Sequence, residues 1–400
     1  MHVTDDLFAR ISPARTIAWK TLEAVSDGAY ASDALRDFGR HLTARDAGLA
    51  SQIVFGCLRF QKQLDFLIEL YSGRTAAKLD LPVLLALRST IFQLRYLERV
   101  PAHAAVHDAV EWVKKRTRSA AGLVNAVLRK VNRNPVDWPD AATALSIPDW
   151  MLDRWTAHFG AEQATRIARA ALDQPVPYIR VPLGSDMPSE VSVEPTDVPG
   201  AYRLTSAHPR DIRLHDISSQ TIVPLLELHP QQTYLDLCAA PGNKTLQELE
   251  SGPSLAIACD VSCSRIREIP PVCPRVVLDA TEPLPFSIAF DRVFIDAPCS
   301  GTGTLARNPE IKWRVKCSDF AGFGEKQAQI LKQGCRSLKL GGRLVYATCS
   351  LETEENERVI QAVTGSHPEL QVDREVWRLP GRDEGDGFYA AVLRKNRLGV

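Results

Sequence analysis

Apolar residues in the first third of the chain recur every three or four positions. Ile17, Thr21, Leu22 and Val25 form one such stripe, Val106, Ala109, Val110 and Val113 a second, and Leu123, Val124, Val127, Leu128 and Val131 a third. That spacing puts each set on one face of an α-helix, so residues 13–132 are predicted to be all-helical. Gly28, Gly73 and Pro101 fall where the periodicity lapses, as helix punctuation should. The pattern breaks at Asn134-Pro135, and Trp138-Pro139 and Pro148 prolong the break. Residues 149–172 read as one or two further helices. Six prolines from Pro175 to Pro199 then exclude long helices, while short extended runs at 178–183 and 201–205 suggest a small mixed subdomain.

From Tyr234 the pattern changes to apolar runs separated by helical stretches. Candidate strands are 234–238, 255–260, 275–279, 291–296 and 343–348, with helices notably at 320–340 and 354–363. Strands alternating with helices imply a parallel, doubly wound, Rossmann-like sheet. The stretch GDGFYAAVLRK from Gly385 reads as a closing edge strand. The predicted organisation is a helical domain at 1–135, a mixed α/β linker subdomain at 136–228 and a doubly wound α/β domain at 229–400.

At 400 residues and 45% hydrophobic content, the chain is long enough to bury the cores of two or three domains. Its cysteine count is odd, at nine, and the opening MHVTDDLFAR has no apolar leader, so reduced thiols in a cytoplasmic protein are expected. No run approaches the roughly 18 residues of a membrane span; LPVLLAL from Leu81 stops at Arg88. Formal charge is zero overall but unevenly placed: residues 1–135 hold 20 Lys+Arg against 13 Asp+Glu, the remainder 28 against 35. Lys114, Lys115, Arg116, Arg118, Arg129, Lys130 and Arg133 cluster. They read either as a nucleic-acid footprint or as a solvated helix face.

In open α/β sheets ligands bind beyond the carboxyl ends of the strands, which makes the turn after the first strand, Cys238 to Thr245, a candidate cofactor site. Pro241 and Gly242 allow a sharp turn that exposes amide hydrogens at a helix start, where a ligand carboxylate is favoured. The turn matches neither a dinucleotide GxGxxG nor a P-loop. Asp260, Asp279 and Asp296 follow successive strands, placed to accept hydrogen bonds from ribose hydroxyls and an exocyclic amine. Cys299 in DAPCSGTGT and Cys349 in YATCS both follow strands at that edge. Carbon 5 of cytosine becomes nucleophilic only when a nucleophile adds at carbon 6, and a thiolate can do this; a second acid/base group must then help remove the carbon-5 proton.

The chain resembles the Sun/RsmB family of RNA cytosine-5 methyltransferases, in its RsmB branch. The match rests on LDLCAAPGNKT, on DAPCSGTGTLARNPEIKWR from Asp296 and on GGRLVYATCSLETEENE from Gly341. In the helical region it rests on LTARDAGLASQIVFGCLR, RVPAHAAVHDAVEWVKK and GLVNAVLRK, which resemble the NusB-type RNA-binding domain. The resemblance implies S-adenosyl-L-methionine as cofactor and small-subunit ribosomal RNA as substrate; a monomer is expected, though the sequence does not fix the oligomeric state. By position it implies Cys349 as nucleophile, with Cys299 assisting proton removal and product release. DNA cytosine-5 methyltransferases carry their nucleophile in a Pro-Cys segment, so Cys299 stays a rival. Lys244 and Asp296 match positions near the reactive centre. Cys238, Ala239, Ala240, Pro241, Gly242 and Lys244 match the cofactor turn, while Asp260, Arg265 and Asp279 match positions lining the adenosine, with Asp296 beside them. Arg307, Asn308, Pro309 and Trp313 are expected to wall the pocket for a splayed-out base.

Two departures from the family pattern bear on the cofactor: Asn243 stands where a second glycine is usual, and the crossover from Asp260 to Asp279 is short. They favour the alternative of a NusB-type RNA-binding protein with an inactive methyltransferase domain, which retention of both thiols opposes. Cys259, Cys263 and Cys273 lack zinc-site spacing, so no metal is expected. Cys57, Cys238, Cys317 and Cys335 read as packing residues.

Overall fold

The computed structural model describes residues 11–206 and 212–397; the opening ten residues, read above as lacking an apolar leader, lie outside the described residues. The chain divides into two compact units, one of Met1–Asp173 with Ala306–Arg314 and the other of Gln174–Leu305 with Val315–Val400.

The first unit is helical, with its longer helices at Pro13–Ser26, Ala44–Arg59, Gln61–Ser72, Leu81–Tyr96, Ala102–Arg116 and Asp149–Phe159. Pro13 occupies the first turn, where its missing N–H costs nothing. The stripes read from the sequence meet in one core: Trp19 and Trp112 pack with ring centroids 4.8 Å apart among Ile53, Leu64, Leu87 and Val124. Arg15 and Asp108 form a buried ion pair at 2.8 Å, and Arg15 also donates to Gln93. Removing either partner would strand a charge in that core. Within the basic cluster, Arg116 pairs with Glu23 and lies over the Trp112 ring, Lys114 pairs with Glu111, and Lys130 and Arg133 donate to backbone carbonyls. Arg118 and Arg129 are exposed, with no such partners among the described residues. Part of the basic signal in the sequence is therefore internal bracing.

Ala306–Arg314 is built into this helical unit. Lys312 Nζ donates to the carbonyls of Arg59 (2.8 Å) and Ser146 (2.7 Å), and the Trp313 indole N–H donates to Leu58 O at 2.6 Å. Glu310 accepts from Ala31 N at 3.1 Å. Trp313, expected from sequence to wall a base pocket, thus has its one polar group engaged by a helix end. Burial, aided by the Arg59 charge, lowers the Lys312 ammonium from 10.5 to about 7. An unfolded lysine stays protonated to about pH 10.4, so between about pH 7 and about pH 10 the unfolded chain binds more protons and stability rises with pH, by a few kcal/mol in order of magnitude. Lys312→Met is expected to flatten that rise. Denaturant midpoints at about pH 7 and about pH 9.5 would check this, and an equal rise in both proteins would rule it out.

In the second unit β1 (Tyr178–Arg180), β2 (Val193–Pro195) and β3 (Ala201–Leu204) form a small antiparallel sheet in the order β1-β3-β2. A seven-stranded sheet follows, from β4 (Thr233–Asp236), β5 (Leu255–Asp260), β6 (Arg275–Val277), β7 (Phe290–Asp296), β8 (Leu338–Thr348), β9 (Leu370–Arg378) and β10 (Phe388–Lys395). Its order is β6-β5-β4-β7-β8-β10-β9. β4 to β8 are parallel to one another, whereas β10 runs antiparallel to both β8 and β9. The stretch read as a closing edge strand is therefore interior, and the edge is β9. Alternate residues serve opposite faces: Leu235, Val293, Ile295, Leu344 and Tyr346 pack on one, and Tyr234, Phe294, Val345 and Ala347 on the other with Ile222 and Leu226. Chain order reverses between β4 and β7, which opens a crevice at their carboxyl ends. No helix among the described residues is long and apolar enough to cross a membrane.

Candidate active site

The turn after β4 is held by its neighbours. Ala239 N donates to Cys259 O at 2.8 Å. Asp260 Oδ2 accepts from Ala240 N at 3.1 Å while its Oδ1 accepts from Ser262 N at 2.8 Å, and Arg265 Nη2 donates to Ala240 O at 2.9 Å. Asp260 and Arg265, two of the residues expected to line the adenosine, thus also grip Ala240 from both sides of its peptide. Gly242 has φ +104°, and a Cβ there would lie 2.9 Å from Ile269 Cγ1, so glycine is required on both counts. Asn243 opens the helix Asn243–Leu249 and turns its carboxamide to Leu214 O, at 2.8 Å. It needs no left-handed backbone. The short crossover is a single turn, Cys263–Ile266. Asp279 is exposed, and the Thr281 amide and hydroxyl hold its carboxyl below the usual range.

Asp236 was not singled out from the sequence. It is buried at the end of β4, where its Oδ2 accepts from the hydroxyls of Thr245 (2.7 Å) and Tyr234 (3.1 Å), and Oδ1 has no partner among the described residues. Burial raises it from 3.8 to about 6. Its period-two placement with Tyr234 and Cys238 was the only available signal, and an acid within an apolar strand was the oddity to notice.

β7 and β8 are adjacent and parallel, with Asp296 in register with Ala347, so the turns that follow them meet. They bring Cys299 Sγ and Cys349 Sγ to 3.3 Å, with both residues partly exposed. Gly303 N donates to Cys349 O at 2.9 Å, and a Cβ on Gly303 would sit 2.8 Å from that oxygen and 2.4 Å from Gly387 O. Only glycine permits this approach. Asn356 braces Cys349 from both sides: its Oδ1 accepts from the Thr348 hydroxyl at 2.6 Å and its Nδ2 donates to Ser350 O at 3.0 Å.

Lys244 Nζ donates to Asp296 Oδ2 at 2.6 Å and lies 5.1 Å from the Phe388 ring centroid. Burial works against the ammonium, but Asp296 and then Cys349 outweigh it and raise the Lys244 pKa. The Cys299 thiol is pushed well up by its hydrogen bond to Cys349, by burial, and by the negative charges of Cys349, Glu355 and Asp296. Lys244 thus interacts with Cys349, while the Glu355 and Asp296 carboxylates act on Cys299. Cys57, Cys259 and Cys335 are buried as packing residues; Cys317, expected to be one, is exposed. No group of three or more His, Cys, Asp or Glu among the described residues is placed to hold a metal ion.

A Rossmann-like sheet with an antiparallel β10 between β8 and the edge strand β9, a tight turn after its first strand and a thiol pair beyond its fourth and fifth together define a methyltransferase. The chain belongs to the family described as "16S rRNA methyltransferase RsmB/F", which matches residues 223–394, and the NusB family matches residues 12–133. It is 31% identical to the "Probable ribosomal RNA small subunit methyltransferase B" of Bacillus subtilis (strain 168), over 88% of this chain and 92% of that protein. It is 30% identical to the "Ribosomal RNA small subunit methyltransferase B" of Cronobacter sakazakii, over 95% of this chain and 98% of that one. The crystal structure of PH0851 matches with TM-score 0.80 at 21% identity, covering 96% of this chain and 98% of that one, a likeness of fold. NSun6 from Pyrococcus horikoshii with SFG matches with TM-score 0.54 at 17% identity, over 63% of this chain and 99% of that one.

Proposed function

We propose that this methyltransferase forms 5-methylcytosine in small-subunit ribosomal RNA, with Cys349 as nucleophile and S-adenosyl-L-methionine as methyl donor. The observation that carries the reading is the thiol pair, two sulfurs 3.3 Å apart beyond adjacent parallel strands, with Lys244 and Asp296 beside them. A pair so placed suits a carbon acceptor; methylation of nitrogen or oxygen needs no thiol.

The cofactor supplies an electrophilic methyl group bound to a sulfonium sulfur. The donor set fits it: Asp260 and Asp279 offer carboxylate oxygens to ribose hydroxyls and an amine, and the Cys238–Gly242 turn presents small side chains and backbone where a close approach is needed. The Cys349 thiolate adds to carbon 6 of the cytosine, and the electrons of the 5,6 double bond make carbon 5 nucleophilic toward the methyl group. Cys299, as a thiolate, then takes the carbon-5 proton, the double bond re-forms, and the carbon 6–sulfur bond breaks to return the Cys349 thiolate. The raised pKa makes the Cys299 thiolate a strong base once formed, and lowers the share of enzyme that holds it. The NusB-type region, with Arg118 and Arg129 exposed, is the part of the chain we assign to holding RNA.

The test uses small ribosomal subunits, and the 16S RNA extracted from them, from a strain lacking the enzyme, with methyl-labelled cofactor. Label is expected in 5-methylcytidine after digestion to nucleosides. Binding without transfer, or label in another nucleoside, would overturn the proposal.

A further inference from the structure

The residues that follow the two cysteines, Ser300 and Ser350, converge on one buried carboxylate. Glu355 lies at the end of the short turn Thr353–Glu355 after β8 and is fully buried. Its Oε1 accepts from the hydroxyls of Ser300 and of Ser350, the latter at 2.6 Å. Its Oε2 accepts from Ser300 N at 2.8 Å and Gln327 Nε2 at 3.1 Å. Gln327 also donates to Pro298 O at 2.9 Å, just ahead of Cys299. The main chain of Glu355 is fixed in turn, since the buried Tyr346 hydroxyl donates to its carbonyl at 2.6 Å. No cation pairs with this carboxylate among the described residues; its charge is met by four hydrogen-bond donors, two of them hydroxyls that flank the reacting sulfurs. A buried acid kept by polar contacts alone is costly as a packing device, and an apolar residue would fill the space.

We infer that Glu355 is a positioning residue: its carboxylate ties the Cys299 and Cys349 turns together through Ser300 and Ser350, and so sets the separation of the two sulfurs during the reaction. This rests on the thiol chemistry proposed above and deepens it. The carboxylate also makes Cys299 a stronger base. The groups bearing on Cys299 are Cys349, Glu355 and Asp296, with Tyr346 beside it. Removing the Glu355 charge therefore moves the Cys299 pKa down.

The test compares Glu355→Gln and Glu355→Asp with the wild-type chain by steady-state kinetics against RNA and cofactor. Displacing reacting groups by about an ångström can cost on the order of 100-fold in rate, so Glu355→Gln is expected to lower kcat about 10- to 100-fold, with both KM values within about threefold. Its rising pH–rate limb should move to lower pH, because the base it reports has become weaker. Glu355→Asp keeps the charge but not the reach, so kcat should fall without that movement. A residue that only packs would move neither the limb nor kcat at fixed KM. Should Glu355→Gln not fold, Ser300→Ala and Ser350→Ala each cut one tether and should lower kcat about threefold or more, on the scale of a lost hydrogen bond. Wild-type kcat and pH profile in Glu355→Gln, or wild-type kcat in both serine variants, overturns the inference. A wild-type chain that makes no 5-methylcytosine overturns the parent reading instead.

Discussion

Cys349→Ala is expected to abolish methyl transfer, by about 10⁴-fold or more, and to form no covalent complex with RNA. The expectation follows from the acceptor: without addition at carbon 6, carbon 5 lacks the electron density to take a methyl group. Cys349 is fixed in place by Gly303 on its carbonyl and by Asn356 on both flanking residues. The side chain stands partly exposed beyond the last residue of β8, so its truncation should leave the fold intact. Denaturing gels of protein incubated with RNA and cofactor, beside a labelled-methyl assay, give the readout. A Cys349→Ala chain that still forms an adduct would transfer the nucleophile's role to Cys299.

Cys299→Ala should behave in the opposite way: addition and methylation proceed, but the adduct persists. Removing an acid/base group costs about 10²- to 10⁴-fold in the step it serves, here the loss of the carbon-5 proton. Turnover should therefore stop near one methyl per enzyme while a band of protein bound to RNA accumulates and survives denaturation. The electrostatic asymmetry of the pair supports this division. Lys244 senses Cys349, whereas Glu355 and Asp296 bear on Cys299 and make its thiolate the stronger base. If Cys299→Ala released its product normally, the carbon-5 proton would have to leave by another route.

Both thiols could be placed from the sequence because each follows an apolar run that ends in a strand, and parallel neighbours bring such ends together. Strand 255–260 agrees residue for residue with β5, and the helix punctuation at Gly28, Gly73 and Pro101 is where helices end or begin. β9 escaped notice because LQVDREVWR is an edge strand whose charged residues face solvent and blur its alternation. β10 was misplaced to the edge although FYAAVL is apolar at every position, the mark of a strand covered on both faces. β8 begins at Leu338, earlier than read, because Gly341 and Gly342 look like a helix end. Within the site, Glu355 is illegible because a carboxylate turned inward is identical in sequence to one turned out. In ETEENE nothing local tells that Glu352 and Glu355 are buried while Glu354 and Glu357 are not; for Glu355 that depends on Ser300, more than fifty residues earlier.

The stretch Ala306–Arg314 has a consequence for biosynthesis. The helical unit is made first, yet the ammonium that ties its Arg59 and Ser146 carbonyls and the indole that caps Leu58 arrive only when the ribosome has passed residue 314. Those helices thus wait, with acceptors unanswered, through the synthesis of more than a hundred intervening residues that belong to another unit. A nascent chain halted anywhere before that point carries an incomplete amino-terminal half, however long it has had to fold.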